Sequence, residues 1–171
     1  LARLVAFDTT SSKNNLGLIA FVEDYLAGHG VASRRIVSDD GQKSSLYATI
    51  GPDDEGGVAL SGHTDVVPVD GQTWTSDPFT LRSEGGKLYG RGSADMKGFI
   101  ASALAAVPSY KARKLKKPIH LAFSYDEEIG CVGVRPMIAE LGKDLPKPRM
   151  VLVGEPTSMQ VIDAHKGPVR W

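Results

Sequence analysis

One histidine and several carboxylates occupy equivalent places along this chain, where an apolar run has just ended or the next is about to begin. His63 and Asp65 follow the apolar residues 58–61, and Asp95 precedes the apolar residues 98–107. Carboxylates that converge repel one another and raise each other's pKa, unless a cation offsets their charge. A mixed set of nitrogen and oxygen donors suits zinc or a related divalent metal ion. The four clusters that could supply these donors are His63-Thr64-Asp65, Gly92-Ser93-Ala94-Asp95, Asp126-Glu127-Glu128 and Gly154-Glu155-Pro156.

Each cluster also has an explanation that involves no chemistry. His63 and Asp65 fit a turn closed by an Asx-type hydrogen bond, and Asp95 fits the N-cap of the helix that follows it. Glu127 and Glu128 fit exposed positions after a strand, and Glu155 fits a loop residue before Pro156. The residues alone leave both explanations open, although four clusters at equivalent positions are harder to explain as isolated turns.

The elements that must position these clusters follow from the hydrophobic periodicity of the chain. Apolar residues at helical spacing predict helices over residues 16–26, 98–107 and 132–141. Short apolar or alternating runs predict strands over residues 31–37, 46–50, 58–61, 119–125, 150–153 and 161–165, with a hairpin from 79–81 and 87–89. The run Met150–Val153 is continuously apolar, which predicts a strand buried on both faces. Strands that alternate with helices predict an α/β sheet with helices on its faces, and the carboxyl ends of its strands would hold the clusters.

Composition and charge narrow the possible partners. Lys and Arg number 20, as do Asp and Glu, so the formal net charge of the 171-residue chain is zero. This balance argues against nucleic acid or an anionic membrane as a partner, and no apolar stretch is long enough to span a membrane. The basic run over residues 111–117 is interpreted as a solvated helix end. The single cysteine, Cys131, excludes an internal disulfide and favours a reducing compartment, so we expect a cytoplasmic protein.

Four motifs in one order resemble those of the dinuclear zinc aminoacylase and peptidase family. They are GHTDVVP, LYGRGSADMKG, SYDEEIG and VGEPT, and they lie between Ser61 and Thr157. Their joint occurrence is far more specific than any one of them alone. The resemblance implies a three-layer α/β/α zinc-peptidase-like catalytic domain with a mostly parallel mixed sheet. It also implies a cis peptide bond between Asp95 and Met96.

The resemblance further implies a set of metal ligands. His63 and Glu155 would bind the first zinc ion, Asp95 would bridge both zinc ions, and Glu128 would bind the second. Two zinc ions are expected in the full-length protein, although cobalt or manganese could occupy the same ligands.

Two other residues would act in catalysis without binding metal. Glu127 would be the general base that takes a proton from water and returns one to the leaving amine. Asp65 would lie behind His63 and fix the tautomer and basicity of its ring. This route needs no covalent acyl-enzyme, so Ser93 and Cys131 are weak alternatives as nucleophiles, and Cys131 is interpreted as a small packed residue behind the site.

The segments DGQTWTSDPFTL, SYDEEIGCVGVRPMI and GEPTSMQVIDAHKG are most similar to family members that hydrolyse N2-acetyl-L-ornithine to L-ornithine and acetate in arginine biosynthesis. The alternatives are desuccinylation of N-succinyl-diaminopimelate and a broader N-acyl-amino-acid hydrolase. The alternative from another class is a non-catalytic binding module or an inactive fragment of the same fold. A phosphate-binding protein is not favoured, because the segment Gly90-Arg91-Gly92 is too short for a phosphate loop.

The chain departs from the family pattern at its C-terminal end. The family's second zinc ion takes a further histidine from a longer chain, and an inserted dimerisation domain would follow residues 165–167. Residues 1–171 are therefore interpreted as the N-terminal portion of a catalytic domain, from a protein that would be a homodimer at full length. His165 is the candidate stand-in for the missing ligand, since His29 marks a helix end and His120 the opposite face of a strand. Alone, the chain is expected to bind one metal ion well, to be nearly inactive and to expose an apolar edge of its sheet.

Overall fold

A computed structural model describes residues 1–52 and 56–164 of the chain. Within these residues the chain forms four helices and seven strands. The helices are α1 (Ala2–Val5), α2 (Leu16–Gly28), α3 (Lys97–Lys111) and α4 (Val134–Glu140). The strands are β1 (Ser33–Val37), β2 (Ser44–Ile50), β3 (Val58–His63), β4 (Arg82–Glu84), β5 (Lys87–Tyr89), β6 (Ile119–Ser124) and β7 (Met150–Val153).

Five of the strands form one sheet in the order β1-β2-β6-β3-β7, while β4 and β5 form a separate hairpin. β2 is antiparallel to both of its neighbours, whereas β3 pairs in parallel with β6 and with β7. Four of the five strands therefore run in one direction, which confirms the mostly parallel mixed sheet. The register pairs His63 with Ser124 and Ser61 with Val153, so β3, β6 and β7 end at the same edge.

Helices cover both faces of the sheet, which gives the expected three layers. On one face, α2 buries Leu18, Ile19, Val22 and Leu26 against the sheet, with the helical spacing of an amphipathic face. The helix α3 packs on the same face. On the other face, Met137 of α4 packs in a smaller cluster with residues of β1, β2 and β6.

His120 lies on the second face of the sheet, as its place out of phase with its apolar neighbours predicts. Its ring stacks on Tyr47 with 5.4 Å between the ring centroids. Nε2 lies 3.0 Å from the carbonyl oxygen of Gly56 and therefore donates to it. In the neutral ring Nδ1 then accepts from the Thr49 hydroxyl, at 3.0 Å. His120 is thus a hydrogen-bonded core histidine rather than a metal ligand.

The strand Met150–Val153 is not buried on both faces, so that prediction is wrong. β7 lies at the edge of the sheet, and its four side chains are 46–57% exposed. A run of apolar residues favours a strand, but its burial depends on which elements lie beside and over it. The exposed run agrees with the expectation of an apolar sheet edge.

Three other elements differ from their predicted form. The helix α3 begins at Lys97, and no side chain caps its first turn, so Asp95 is not an N-cap. The hairpin begins at Arg82 because Asp77 closes a turn before it, where its carboxylate accepts from the Thr80 hydroxyl at 2.7 Å. Residues 161–164 form no regular structure, and His165 lies outside the described residues.

Candidate metal centre

The parallel strands bring the acidic clusters to one edge of the sheet. His63 is the last residue of β3, Glu127 follows the end of β6, and Glu155 follows the end of β7. Asp95 reaches the same place from the turn before α3, which packs against β3. The convergence predicted from the strand pattern is therefore present, because neighbouring parallel strands end at a common edge.

The Nε2 atom of His63 is the centre of this group. It lies 3.0 Å from Asp95 Oδ1, 3.7 Å from Glu155 Oε1 and 3.8 Å from Glu127 Oε2. One donor atom each from His63, Asp95 and Glu155 lie within 4.8 Å of one another. Donor atoms bound to one zinc ion at about 2 Å lie roughly 3 to 4 Å apart. The three side chains therefore fit a single divalent metal ion.

The hydrogen bonds of His63 determine which nitrogen of its neutral ring is unprotonated. Nδ1 lies 2.9 Å from the backbone carbonyl oxygen of Asp65, and a carbonyl oxygen can only accept, so Nδ1 donates. In the neutral ring Nε2 then presents a lone pair to three carboxylates. That arrangement is repulsive unless a positive charge lies among them. A proton on Nε2 supplies this charge when no metal ion is bound, and a metal ion that replaces the proton binds the neutral imidazole nitrogen.

Crowded negative charge also shifts the pKa values at the site. Burial lowers the pKa of His63, but the carboxylates of Asp65 and Glu155 outweigh burial and raise it to about 9. Burial raises the pKa of Glu128, and the charge of Asp95 raises it further. Burial likewise raises the pKa of Glu155, with neighbouring acids adding to the effect and His63 opposing it. Protons and a metal ion compete for these groups, so metal binding is favoured at higher pH.

Asp65 supports the site from behind in two ways. Its carboxylate accepts hydrogen bonds from the Ser11 hydroxyl at 2.7 Å and from the amides of Glu127 and Glu128 at 3.0 and 3.2 Å. Burial raises the pKa of Asp65, but His63 and these donors outweigh it and hold that pKa below its usual range. The carboxylate lies 3.6 Å from Nδ1 of His63, farther than the Asp65 carbonyl oxygen. The backbone of Asp65 thus orients the His63 ring, and its side chain holds the loop after β6.

The loop after β6 presents Glu127 to the site. The carbonyl oxygen of Glu127 accepts from the amides of Gly130 and Cys131, so the loop turns back on itself. Glu127 Oε1 also lies 3.4 Å from the Cys131 thiol. Cys131 is exposed, so its interpretation as a packed residue behind the site is wrong. Glu128 is close enough for Asp95 to affect its pKa, but the group of three donor atoms found in the described residues does not include its carboxylate.

Glu155 reaches the centre because Gly154 allows β7 to end directly against α3. A Cβ atom on Gly154 would lie 2.0 Å from Cγ of the Phe99 ring. The Gly154 amide donates to the carbonyl oxygen of Ser61 at 3.1 Å and so continues the pairing with β3.

At the neighbouring cluster the Asp95–Met96 peptide bond is cis, as the resemblance implied.

Thr9 and Asn15 also support this edge, a role that their residue types did not indicate. Asn15 Nδ2 donates to the Ser44 carbonyl oxygen and to the Thr64 hydroxyl oxygen, each at 2.8 Å. The Thr9 hydroxyl donates to the Thr64 carbonyl oxygen at 2.6 Å. The only sequence signal was a run of small polar residues, which is equally typical of a surface loop.

Lys97 was missed as well, although it lies within one of the motifs. Its side chain is fully buried, and its ammonium group donates to the Phe7 carbonyl oxygen at 2.7 Å. Burial lowers the pKa of Lys97 to about 8, against the opposing charges of Asp8 and Asp65. A lysine at the start of a helix gives no sequence signal of such burial, because most lysines are exposed.

Comparison with known proteins identifies the family. The model of Peptidase family M20/M25/M40 matches residues 59–167, which include all four acidic clusters. The chain belongs to this family. Among curated members, the acetylornithine deacetylase of Yersinia pseudotuberculosis serotype O:1b (strain IP 31758) is 41% identical over 167 residues. The acetylornithine deacetylase of Shigella sonnei (strain Ss046) is 40% identical over 163 residues.

This M20 family chain is shorter than those relatives. Each alignment covers 95% of the chain but only 42% of the relative, so the chain spans about two fifths of their length. The identified family confirms the resemblance drawn from the four motifs.

Solved structures confirm the fold of this M20 family chain. Human carnosine dipeptidase 1 superimposes with a TM-score of 0.77 at 25% identity, over 88% of this chain and 36% of that one. The M20 family metallo-carboxypeptidase Sso-CP2 from Sulfolobus solfataricus has a TM-score of 0.77 at 22% identity, over 90% of this chain and 36% of that one. None of the helices in the described residues has the length and apolar character needed to cross a membrane.

Proposed function

We propose that the full-length protein containing these residues is a zinc-dependent amide hydrolase that acts on an N-acyl amino acid. The observation that carries the proposal is the Nε2 atom of His63, which faces three carboxylate oxygens at 3.0–3.8 Å. We further propose N2-acetyl-L-ornithine as the substrate, giving L-ornithine and acetate in arginine biosynthesis. Support for this substrate comes from curated relatives at 40–41% identity that are named acetylornithine deacetylases.

The residues fit a zinc centre by the chemistry of their donors. His63, Asp95 and Glu155 would hold one ion, and Asp95 with Glu128 would contribute to a second. Nitrogen and carboxylate oxygen are both zinc ligands, and cobalt is a possible substitute at the same atoms. When bound, zinc polarises an amide carbonyl group and lowers the pKa of a water molecule.

Glu127 is the residue we assign as general base. It lies beside the proposed ligands without being one of the three that converge, and its side chain is 36% exposed, so water and substrate can reach it. It would accept a proton from the attacking water and donate a proton to the amine that leaves. Asp65 would support this step, because its carboxylate accepts from the Glu127 amide and fixes the backbone that carries the base.

We also propose that residues 1–171 are the N-terminal portion of the catalytic domain, and that the full-length protein is a cytoplasmic homodimer. The share of the curated relatives that the chain covers, 42%, supports the first statement. The family resemblance supports the dimer, and the single cysteine agrees with a reducing compartment. Sedimentation of the full-length protein would test the dimer.

The test of the proposed function compares two substrates in the full-length protein with added zinc. Hydrolysis of N2-acetyl-L-ornithine is expected to exceed that of N-succinyl-diaminopimelate. A Glu127→Gln variant keeps the shape of the side chain and is expected to retain metal while losing about 10²- to 10⁴-fold in kcat. Activity on neither substrate, or undiminished activity in the variant, would contradict the proposal.

A further inference from the structure

The loop that carries Glu127 is held from the side opposite Asp65 by a lysine from a distant turn. Lys43 Nζ lies 2.5 Å from Asp126 Oδ1, and the two residues are 83 positions apart in the chain. Their side chains are only 16% and 12% exposed, so the pair is largely shielded from water. A charge-assisted hydrogen bond in such surroundings is stronger and more directional than an exposed ion pair.

Lys43 itself is fixed at both ends. Its backbone amide donates to the Ser38 hydroxyl oxygen at 2.9 Å, which fixes the backbone of the turn. The Lys43 carbonyl oxygen accepts from the Ser38 amide at 2.9 Å. At the other end of the side chain, Nζ also donates to the Ser11 carbonyl oxygen at 2.6 Å. The ammonium group therefore has a defined position between Ser11 and Asp126.

These contacts belong to a closed series of hydrogen bonds, which we call the ring, behind the candidate site. Lys43 binds both Asp126 and the Ser11 carbonyl oxygen. The Ser11 hydroxyl donates to Asp65 Oδ2, and the Glu127 amide donates to Asp65 Oδ1. Asp126 is covalently joined to Glu127, which completes the ring. Lys43 supplies the one cationic side chain among these residues, and its ammonium group lies between the Asp126 carboxylate and the Ser11 carbonyl oxygen.

Asp126 needs such a restraint because of its backbone conformation. Its φ of 55° is in the left-handed region, which few residues other than glycine adopt and which aspartate adopts when a local hydrogen bond holds it. Its carbonyl oxygen accepts from the Val132 amide at 3.1 Å, which closes the loop. An unpaired Asp126 could relax towards an ordinary conformation, and the direction of the Glu127 side chain would change with it.

We propose that Lys43 is a positioning residue, which holds Asp126 in its left-handed conformation and thereby aims Glu127 at the metal centre. The inference rests on the proposed function, since it assigns Glu127 the role of base. Lys43 touches neither the proposed ligands nor the base. Its removal is therefore expected to leave metal binding intact and to lower the rate of the chemical step.

The test uses the full-length protein with Lys43→Met, Asp126→Asn, and the two changes together. Lys13→Met is the matched control, because Lys13 belongs to the adjoining segment and pairs with Asp8 in a far more exposed setting, at 56% exposure. Lys43→Met is expected to lower kcat by about tenfold to a hundredfold, as misplacement of a reacting group by about 1 Å does. KM should change less than kcat, and zinc content should equal that of the wild type. Asp126→Asn should lower kcat by the same factor as Lys43→Met. The double variant should lose no more kcat than either single variant, because the two residues act as one unit.

Amide hydrogen exchange gives a readout that does not depend on activity. The amides of Glu127 and Glu128 should exchange at least about tenfold faster in Lys43→Met than in Lys13→Met, because local opening becomes easier. Unchanged exchange, a kcat equal to that of the control, or a loss confined to KM would each overturn the inference. If Lys43→Met does not fold, the same measurements of kcat and amide exchange on Asp126→Asn test the inference. A wild-type protein without hydrolase activity would instead refute the proposed function. The exchange experiment would still test whether Lys43 restrains the loop that carries Glu127.

Discussion

Replacing Gly154 by alanine should displace Glu155 and weaken metal binding without touching any ligand. The new Cβ atom would lie 2.0 Å from Cγ of Phe99, whereas ordinary contact between carbon atoms begins at about 3.4 Å. The ring or the end of β7 must therefore move by roughly 1.4 Å, if one of them moves alone. Overpacking of this kind costs about 1 to 3 kcal/mol. Gly154 does not have a positive φ, so the effect is steric rather than conformational.

The assay is zinc affinity of the full-length protein, measured by competition with a chromogenic chelator. A displacement of Glu155 should reduce affinity by about tenfold to a hundredfold, if the free-energy cost falls on the metal-bound state. Gly28→Ala is the control, because nothing lies within 4 Å of a Cβ at Gly28 and its backbone is helical. The double variant Gly154→Ala with Phe99→Ala removes the colliding ring and should recover affinity. Wild-type affinity in Gly154→Ala, or no recovery in the double variant, would refute this reasoning.

Three further predictions concern the metal, the core and the sheet edge. Asp95→Asn should lower the zinc bound per chain, measured by metal analysis after dialysis, while the circular dichroism spectrum stays unchanged. Burial lowers the pKa of His120 below 6.5, so the unfolded state binds the proton more tightly. The contribution of His120 to the free energy of unfolding should then be fully retained above pH 6.5 and fall as pH drops below it, so urea titrations should show a smaller fall in a His120→Gln variant. The 171-residue chain should self-associate through β7, and Val151→Lys should lower the mass seen by light scattering, whereas an unchanged mass would exclude this edge.

Local patterns in the sequence determined much of the scaffold. The apolar runs that form β3, β6 and β7 were evident from residue type alone, and so was the helical spacing of α2. Since parallel strands end at a common edge, the same patterns were enough to predict that His63 and the acids meet. The residue types then indicated a metal centre, because an imidazole and several carboxylates are donors that suit a divalent ion.

Tertiary structure decided what depends on contacts between distant parts of the chain. The burial of Met150–Val153 depended on the position of β7 at the sheet edge, which an apolar run does not encode. The ring of His63 is oriented by the Asp65 carbonyl oxygen rather than by the carboxylate, because the backbone brings the carbonyl closer. The Lys43–Asp126 pair joins residues 83 positions apart, and a lysine in a turn carries no sign of a partner. Local periodicity specifies which residues form strands and helices, whereas the packing of those elements selects the partners of each polar side chain.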